Sequence, residues 1–119
     1  MVQNERLLWL IKYLLNENSR YRNVEIPENK EEQFDFYRSL VNVRMPEPVS
    51  DAYLAVEDEY LSEEINKKGI THFSDLAPID NDIYLWQGDI TTIDSDVIVN
   101  AANNQLLGCF CPCHACIDN

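Results

Sequence analysis

Through its first 108 residues the chain contains no cysteine. Its apolar runs are short, Leu7-Leu8-Trp9-Leu10-Ile11 and Val97-Ile98-Val99 among them, and a membrane span needs roughly 20 apolar residues, so none is expected. The opening Met1-Val2-Gln3-Asn4-Glu5 has neither a basic stretch nor a small-residue cleavage site, so no secretory signal is expected. Positive charge is scarce: 9 lysines and arginines face 21 aspartates and glutamates, a formal net charge of −12. The imbalance is concentrated between residues 25 and 96, which hold 18 of the acidic side chains and 5 of the basic ones. Such a surface repels nucleic acid and anionic membranes, and no basic stripe reverses it, so partners of both kinds are excluded. A small polyanion stays compatible, because backbone amides and helix N-termini hold phosphate without lysine. Internal repeats and low-complexity linkers are also missing.

What is present suits one ordinary domain: 119 residues, 45% of them hydrophobic. Leu7, Leu8, Ile11, Leu14 and Leu15 recur at helical spacing and predict a helix over about Glu5 to Leu15. A second helix is expected from Lys30 to about Val43, with Phe34, Tyr37, Leu40 and Val41 on one side, ended by Pro46 and Pro48. A third should run from Asp51 to Lys68, capped by Ser50 and closed by Gly69, with two lysines in its last turn. Its apolar positions Tyr53, Leu54, Tyr60, Leu61 and Ile65 are irregular enough for two shorter helices. After Pro78 the texture changes. Ile83-Tyr84-Leu85-Trp86-Gln87 and Asp96-Val97-Ile98-Val99-Asn100 are β-branched or aromatic runs of strand length, the second without polar alternation, as in a strand buried on both faces. The expected organisation is therefore α/β, with a helical region over residues 1–76 and the start of an α/β unit over 77–119.

All four cysteines fall in Cys109-Phe110-Cys111-Pro112-Cys113-His114-Ala115-Cys116, beside one of the two histidines. Thiolate and neutral imidazole are the preferred ligand set for zinc. Without an export signal, a reducing cytoplasm is the expected location, and clustered thiols there bind metal more often than they pair. A disulfide or an incidental run of thiols is the competing reading.

Three motifs stand in order: Gly88-Asp89-Ile90-Thr91, then Asp96-Val97-Ile98-Val99-Asn100-Ala101-Ala102-Asn103, then Leu106-Leu107-Gly108. Together they resemble the opening of a macrodomain, a three-layer α/β/α fold. The family's usual continuation is a glycine-rich loop ending in aspartate; here the cysteine cluster replaces it ahead of Ile117-Asp118-Asn119. That replacement resembles the zinc-containing macrodomains, bacterial protein ADP-ribosylhydrolases often encoded beside a sirtuin-type ADP-ribosyltransferase, whose members carry a helical N-terminal extension. The specific part of the likeness covers about residues 83–119.

The family motif reads Gly-Cys-Phe, any residue, Pro, any residue, His, any residue, Cys. Carried onto this chain, the resemblance implies zinc ligands Cys109, His114 and Cys116, which leave a fourth tetrahedral position open for substrate. Cys111 and Cys113 occupy variable positions, and either thiolate entering the shell would close the site as a structural Cys3His centre. Asp118 matches the family's loop aspartate, implying a role in directing water or holding the distal ribose; helix capping is the plain alternative. Asn103, past a strand's carboxyl end, would hold a ribose hydroxyl, or serve only as a turn residue. Asp89 and the Ile90 amide match the adenine-binding pair, an acceptor beside a donor; a Gly-Asp turn closing a strand is the alternative. Asn100 and His72 read as structural. The implied activity is removal of mono-ADP-ribose from modified proteins. A zinc- or ADP-ribose-binding interaction module without catalysis is the alternative. The 38 residues from Asp82 to Asn119 fall below the roughly 40 at which a chain usually folds unaided. The expectation is accordingly a macrodomain truncated at its metal loop, inactive alone, with a poorly ordered last third.

Overall fold

Leu7, Leu10, Ile11 and Leu14 lie at i, i+3, i+4 and i+7, the spacing that lines one helix face. In the computed structural model, which describes residues 1–114, 116 and 117, they form the buried stripe of α1, Gln3–Glu17. Leu10 and Ile11 retain no solvent exposure. The stripe is thus centred on Leu10, while Leu8 sits at its half-buried flank. Glu5 reaches back to accept from the Val2 amide at 3.0 Å, satisfying a donor that a helix start would otherwise leave open.

Helix α2 spans Lys30–Val43 and α3 spans Asp51–Lys68, both with the bounds their sequences predict. Asn29 caps α2 by accepting from the Glu31 amide, and Ser50 caps α3 by accepting from the Tyr53 amide at 3.2 Å. Gly69 ends α3 at φ 87°, donating its amide to the Ile65 and Asn66 carbonyls. Helix α3 is continuous, because it needs few apolar anchors: it buries Tyr53 and Tyr60 and leaves Leu54 and Leu61 exposed. On α2 the buried side chains are Gln33, Tyr37 and Leu40, while Val41 faces solvent.

The described residues group into two units: Met1–Tyr60 with those from Asn100 onward, and Leu61–Val99. The first contains the core, in which α1 packs on α2 and Tyr53 and Tyr60 of α3 complete the cluster. Two buried phenols share one carboxylate there. Tyr37 Oη donates to Glu57 Oε1 at 2.5 Å and Tyr53 Oη donates to the same oxygen at 2.9 Å. Burial first, and then the bond to Glu57, pushes the Tyr37 phenol far above its ordinary range; Tyr53 is also raised, chiefly by burial. Arg44 straps the end of α2 to α1 through a bidentate pair with Glu17, 2.7 and 2.8 Å, and donates to the Glu47 carbonyl at 2.6 Å.

The second unit holds two small ladders. β1 (Thr71–His72) pairs in parallel with β4 (Ile93–Asp94), and β2 (Pro78–Asp80) pairs antiparallel with β3 (Ile83–Tyr84). Asn81, at φ 44°, turns the hairpin, a conformation asparagine tolerates better than most residues. Two sequence expectations fail here. Of Ile83–Gln87 only the first two residues join a ladder. Val97, Ile98 and Val99 form no strand and are 80%, 51% and 90% exposed. An all-apolar strand is stable only with neighbours on both sides, and among the described residues none flanks this run. The chain is thus mixed helix with small strands. No helix among the described residues is long and apolar enough to cross a membrane.

Removing Glu57 would take the shared acceptor from two buried phenols, leaving them only the bond between their own hydroxyls. Glu57→Ala should lower the free energy of urea unfolding by about 2–4 kcal/mol, whereas exposed Asp58→Ala should stay within about 0.5 kcal/mol. Equal effects at the two positions would show that the shared carboxylate contributes nothing.

Candidate metal centre

Cys109, His114 and Cys116 converge. One ligand atom from each lies within 4.8 Å of the other two. The Cys109 and Cys116 sulfurs are 3.5 Å apart, and Cys109 Sγ is 3.7 Å from His114 Nδ1. A tetrahedral zinc with sulfur at about 2.3 Å and nitrogen at about 2.0–2.1 Å has S···S edges of about 3.8 Å and S···N edges of about 3.6 Å. These two separations match those edges to within a few tenths of an ångström, and two thiols with an imidazole are a donor set whose chemistry suits the ion.

Local backbone chemistry produces this convergence. Cys111-Pro112-Cys113-His114 is a turn closed by the His114 amide donating to the Cys111 carbonyl at 3.2 Å. Proline presets the second position of such turns, and the third must take a positive φ. Cys113 does so at φ 52°, where glycine is usual, and Phe110 and Leu106 adopt φ 52° and 57°. The turn folds the chain back, bringing His114 and Cys116 to Cys109. Cys111 and Cys113 are outside the converging set. Cys113 faces another way, its thiol donating to the Asp35 carbonyl of α2 at 3.4 Å.

Asn103 closes its own loop. Its Oδ1 accepts from the Gln105 and Leu107 amides at 3.0 and 3.4 Å, and its Nδ2 donates to the Leu107 carbonyl at 2.5 Å. Asp118, the predicted loop carboxylate, lies outside the described residues.

In the other unit Asp89 caps a short 3-10 turn, Ile90–Thr92. Its Oδ1 accepts from the Thr91 amide and hydroxyl at 3.0 and 2.7 Å, and its Oδ2 pairs with Lys68 Nζ at 2.7 Å. Lys68 first, and then the Thr91 hydroxyl and amide, hold the Asp89 carboxyl down to about 2. Gly88 precedes it because a side chain there would collide with the Trp86 indole. Beside this turn an open, largely apolar cleft of about 520 Å³ is lined by Tyr84, Trp86, Ile90, Val97 and Val99. Lys68 was not predictable as the partner of Asp89, since its position in a helix's last turn already accounts for a lysine. His72 pairs with Asp94 at 2.8 Å across the β1–β4 ladder, consistent with a structural reading.

Against known proteins, the chain is 50% identical over 123 aligned positions to the protein-ADP-ribose hydrolase of Treponema medium, covering 100% of this chain and 47% of that protein. It is 48% identical over 114 positions to the protein-ADP-ribose hydrolase of Staphylococcus aureus strain COL, covering 92% of this chain and 42% of that one. This chain is similar to protein-ADP-ribose hydrolases. It spans less than half the length of either. A shorter stretch of 38 residues, 31% of the chain, is 63% identical to a probable bifunctional ADP-ribose hydrolase/ADP-ribosyltransferase of Fusarium oxysporum f. sp. cubense, of which it covers 6%. No protein-family model matches the chain.

The Asp89 contacts carry a pH signature. With its folded value near 2 and its ordinary value 3.8, the Asp89 pair contributes stability that is fully present above about pH 4 and lost as pH falls through about 2. The contribution is small, since both side chains are about half exposed. The Asp89 carboxyl carbon, followed by NMR, should titrate near 2, and Lys68→Met should move its midpoint toward 3.8. A midpoint near 3.8 in the unaltered chain would show that these contacts do not hold the charge.

Proposed function

We propose that this chain carries the metal loop and the adenine-facing turn of a zinc-dependent protein ADP-ribosylhydrolase of the macrodomain type. The longer protein would remove mono-ADP-ribose from modified protein side chains by cleaving the glycosidic bond of the distal ribose. One observation carries the reading: Cys109, His114 and Cys116 bring one ligand atom each within 4.8 Å of one another in a chain half identical to a protein named protein-ADP-ribose hydrolase. In this reading residues 1–76 are a helical extension and residues 77–119 the first part of a three-layer macrodomain. The later strands and the second phosphate-binding loop would come from the part of the protein that corresponds to the rest of its relatives' length. A cytoplasmic setting suits the reduced thiols. An ADP-ribosyltransferase as functional counterpart, of the sirtuin type in the zinc-containing group, is in keeping with the bifunctional name of the Fusarium relative.

The roles follow from the chemistry of each side chain. Cys109, His114 and Cys116 would hold the ion, two thiolates and one imidazole. Zinc in such a site supplies Lewis acidity and one open coordination position for a ribose oxygen. An amide nitrogen carries two N–H groups, so the bond from Asn103 to Leu107 leaves a donor for a ribose hydroxyl. Asp118 would orient the attacking water as general base. Asp89 keeps its charge against Lys68, and each carboxylate oxygen accepts more than one bond, so it can still take the adenine amino group while the Ile90 amide donates to the ring. The apolar cleft beside it supports a flat base at that place.

The test uses the longer protein. One zinc per chain and calorimetric binding of ADP-ribose are expected. Asp118→Ala should slow release of ADP-ribose from a modified substrate by at least about a hundredfold, and Cys116→Ser by a similar factor together with loss of the metal. Release retained in both variants would reject the roles given to Asp118 and the metal, and absence of release from the unaltered protein, with zinc and ADP-ribose both bound, would reject the enzyme reading in favour of a non-catalytic zinc- and ADP-ribose-binding interaction module.

A further inference from the structure

Cys113 is a positioning residue: we infer that α2 is the platform on which the metal loop is set, with Cys113 turned onto that helix rather than toward the ion. The inference rests on the metal site proposed above. Asp35, Arg38 and Asn42 lie at i, i+3 and i+7, one stripe of α2 on the side away from the face that buries Tyr37 and Leu40. The Cys113 thiol donates to the Asp35 carbonyl at 3.4 Å. The Asn42 amide, oriented so that both its ends are satisfied, donates Nδ2 to the Arg38 carbonyl at 3.2 Å and accepts at Oδ1 from the Cys113 amide at 2.9 Å. Both hydrogen-bond donors of one loop residue therefore engage one helix stripe.

The backbone explains why the residue matters. Cys113 occupies, at φ 52°, the turn position where glycine would be unstrained. A side chain is kept there at the expense of that strain, and its thiol reaches α2. His114 follows immediately in chain, and Cys116 two residues later, so fixing Cys113 fixes where both donors emerge. The same contact bears on one of the two variable cysteines: a thiol directed at Asp35 is turned away from the fourth coordination position.

Cobalt(II) titration of this chain, read by the visible d–d bands and the sulfur-to-cobalt charge-transfer band, tests the inference. Asn42→Ala should bind Co2+ about tenfold or more weakly while the circular dichroism of α2 is unchanged, alanine being a better helix former than asparagine. Asn42→Asp, which keeps the acceptor for the Cys113 amide, should restore affinity to within a few-fold of the parent. Cys113→Ser, which keeps a donor for Asp35, should leave the charge-transfer intensity at that of two thiolates. Loss of about a third of that intensity in Cys113→Ser would make Cys113 a ligand and overturn the inference. Parent-like affinity in Asn42→Ala would overturn the anchoring alone. A parent chain that takes up no Co2+ would instead reject the metal site, and the inference with it.

Discussion

The complete withdrawal of Leu10 and Ile11 from water is the interaction on which the first unit depends. Short helices are marginal by themselves, and α1 gains its stability by burying an unbroken stripe against α2 and the tyrosines of α3. Once α2 is seated by Tyr37 and Leu40, its opposite stripe is fixed in space. The cysteine loop, which has no core of its own, can then borrow that order through Cys113 and Asn42. Apolar packing at one end of the chain thereby becomes donor geometry at the other.

The scarcity of cations gives their placement meaning. Arg44 joins Glu17 to the loop after α2, Arg6 pairs with Glu59 from α3, and Lys68 holds Asp89. Each spans sequence separations of 21 residues or more, so these three positive charges serve as ties between segments. Glu57 shows the converse economy of acceptors, one carboxylate oxygen satisfying two buried phenols.

Local chemistry was legible in the sequence and non-local pairing was not. The bounds of α2 and α3, the Ser50 cap and the Gly69 stop depend on neighbours within one turn, so periodicity and capping residues suffice to place them. The centre of the α1 stripe was misplaced by one side chain, since Leu8 and Leu10 flank Trp9 and only packing decides between them. Val97-Ile98-Val99 has the composition of an interior strand yet lies exposed, because a strand is completed by other segments and composition cannot supply them. The convergence of Cys109, His114 and Cys116 was legible as a motif. The turn of Cys113 onto α2 was not, as it depends on a carbonyl and an amide roughly 70 residues away in the chain.

Leu106, Phe110 and Cys113 hold left-handed backbone conformations, each of which costs an L-residue about 1–2 kcal/mol. Relaxation of these residues would move Cys109, His114 and Cys116 apart. Their convergence is therefore governed in part by side chains outside the converging set, and substitutions among these uncharged bystanders would retune it while leaving the two thiols and the imidazole chemically unaltered.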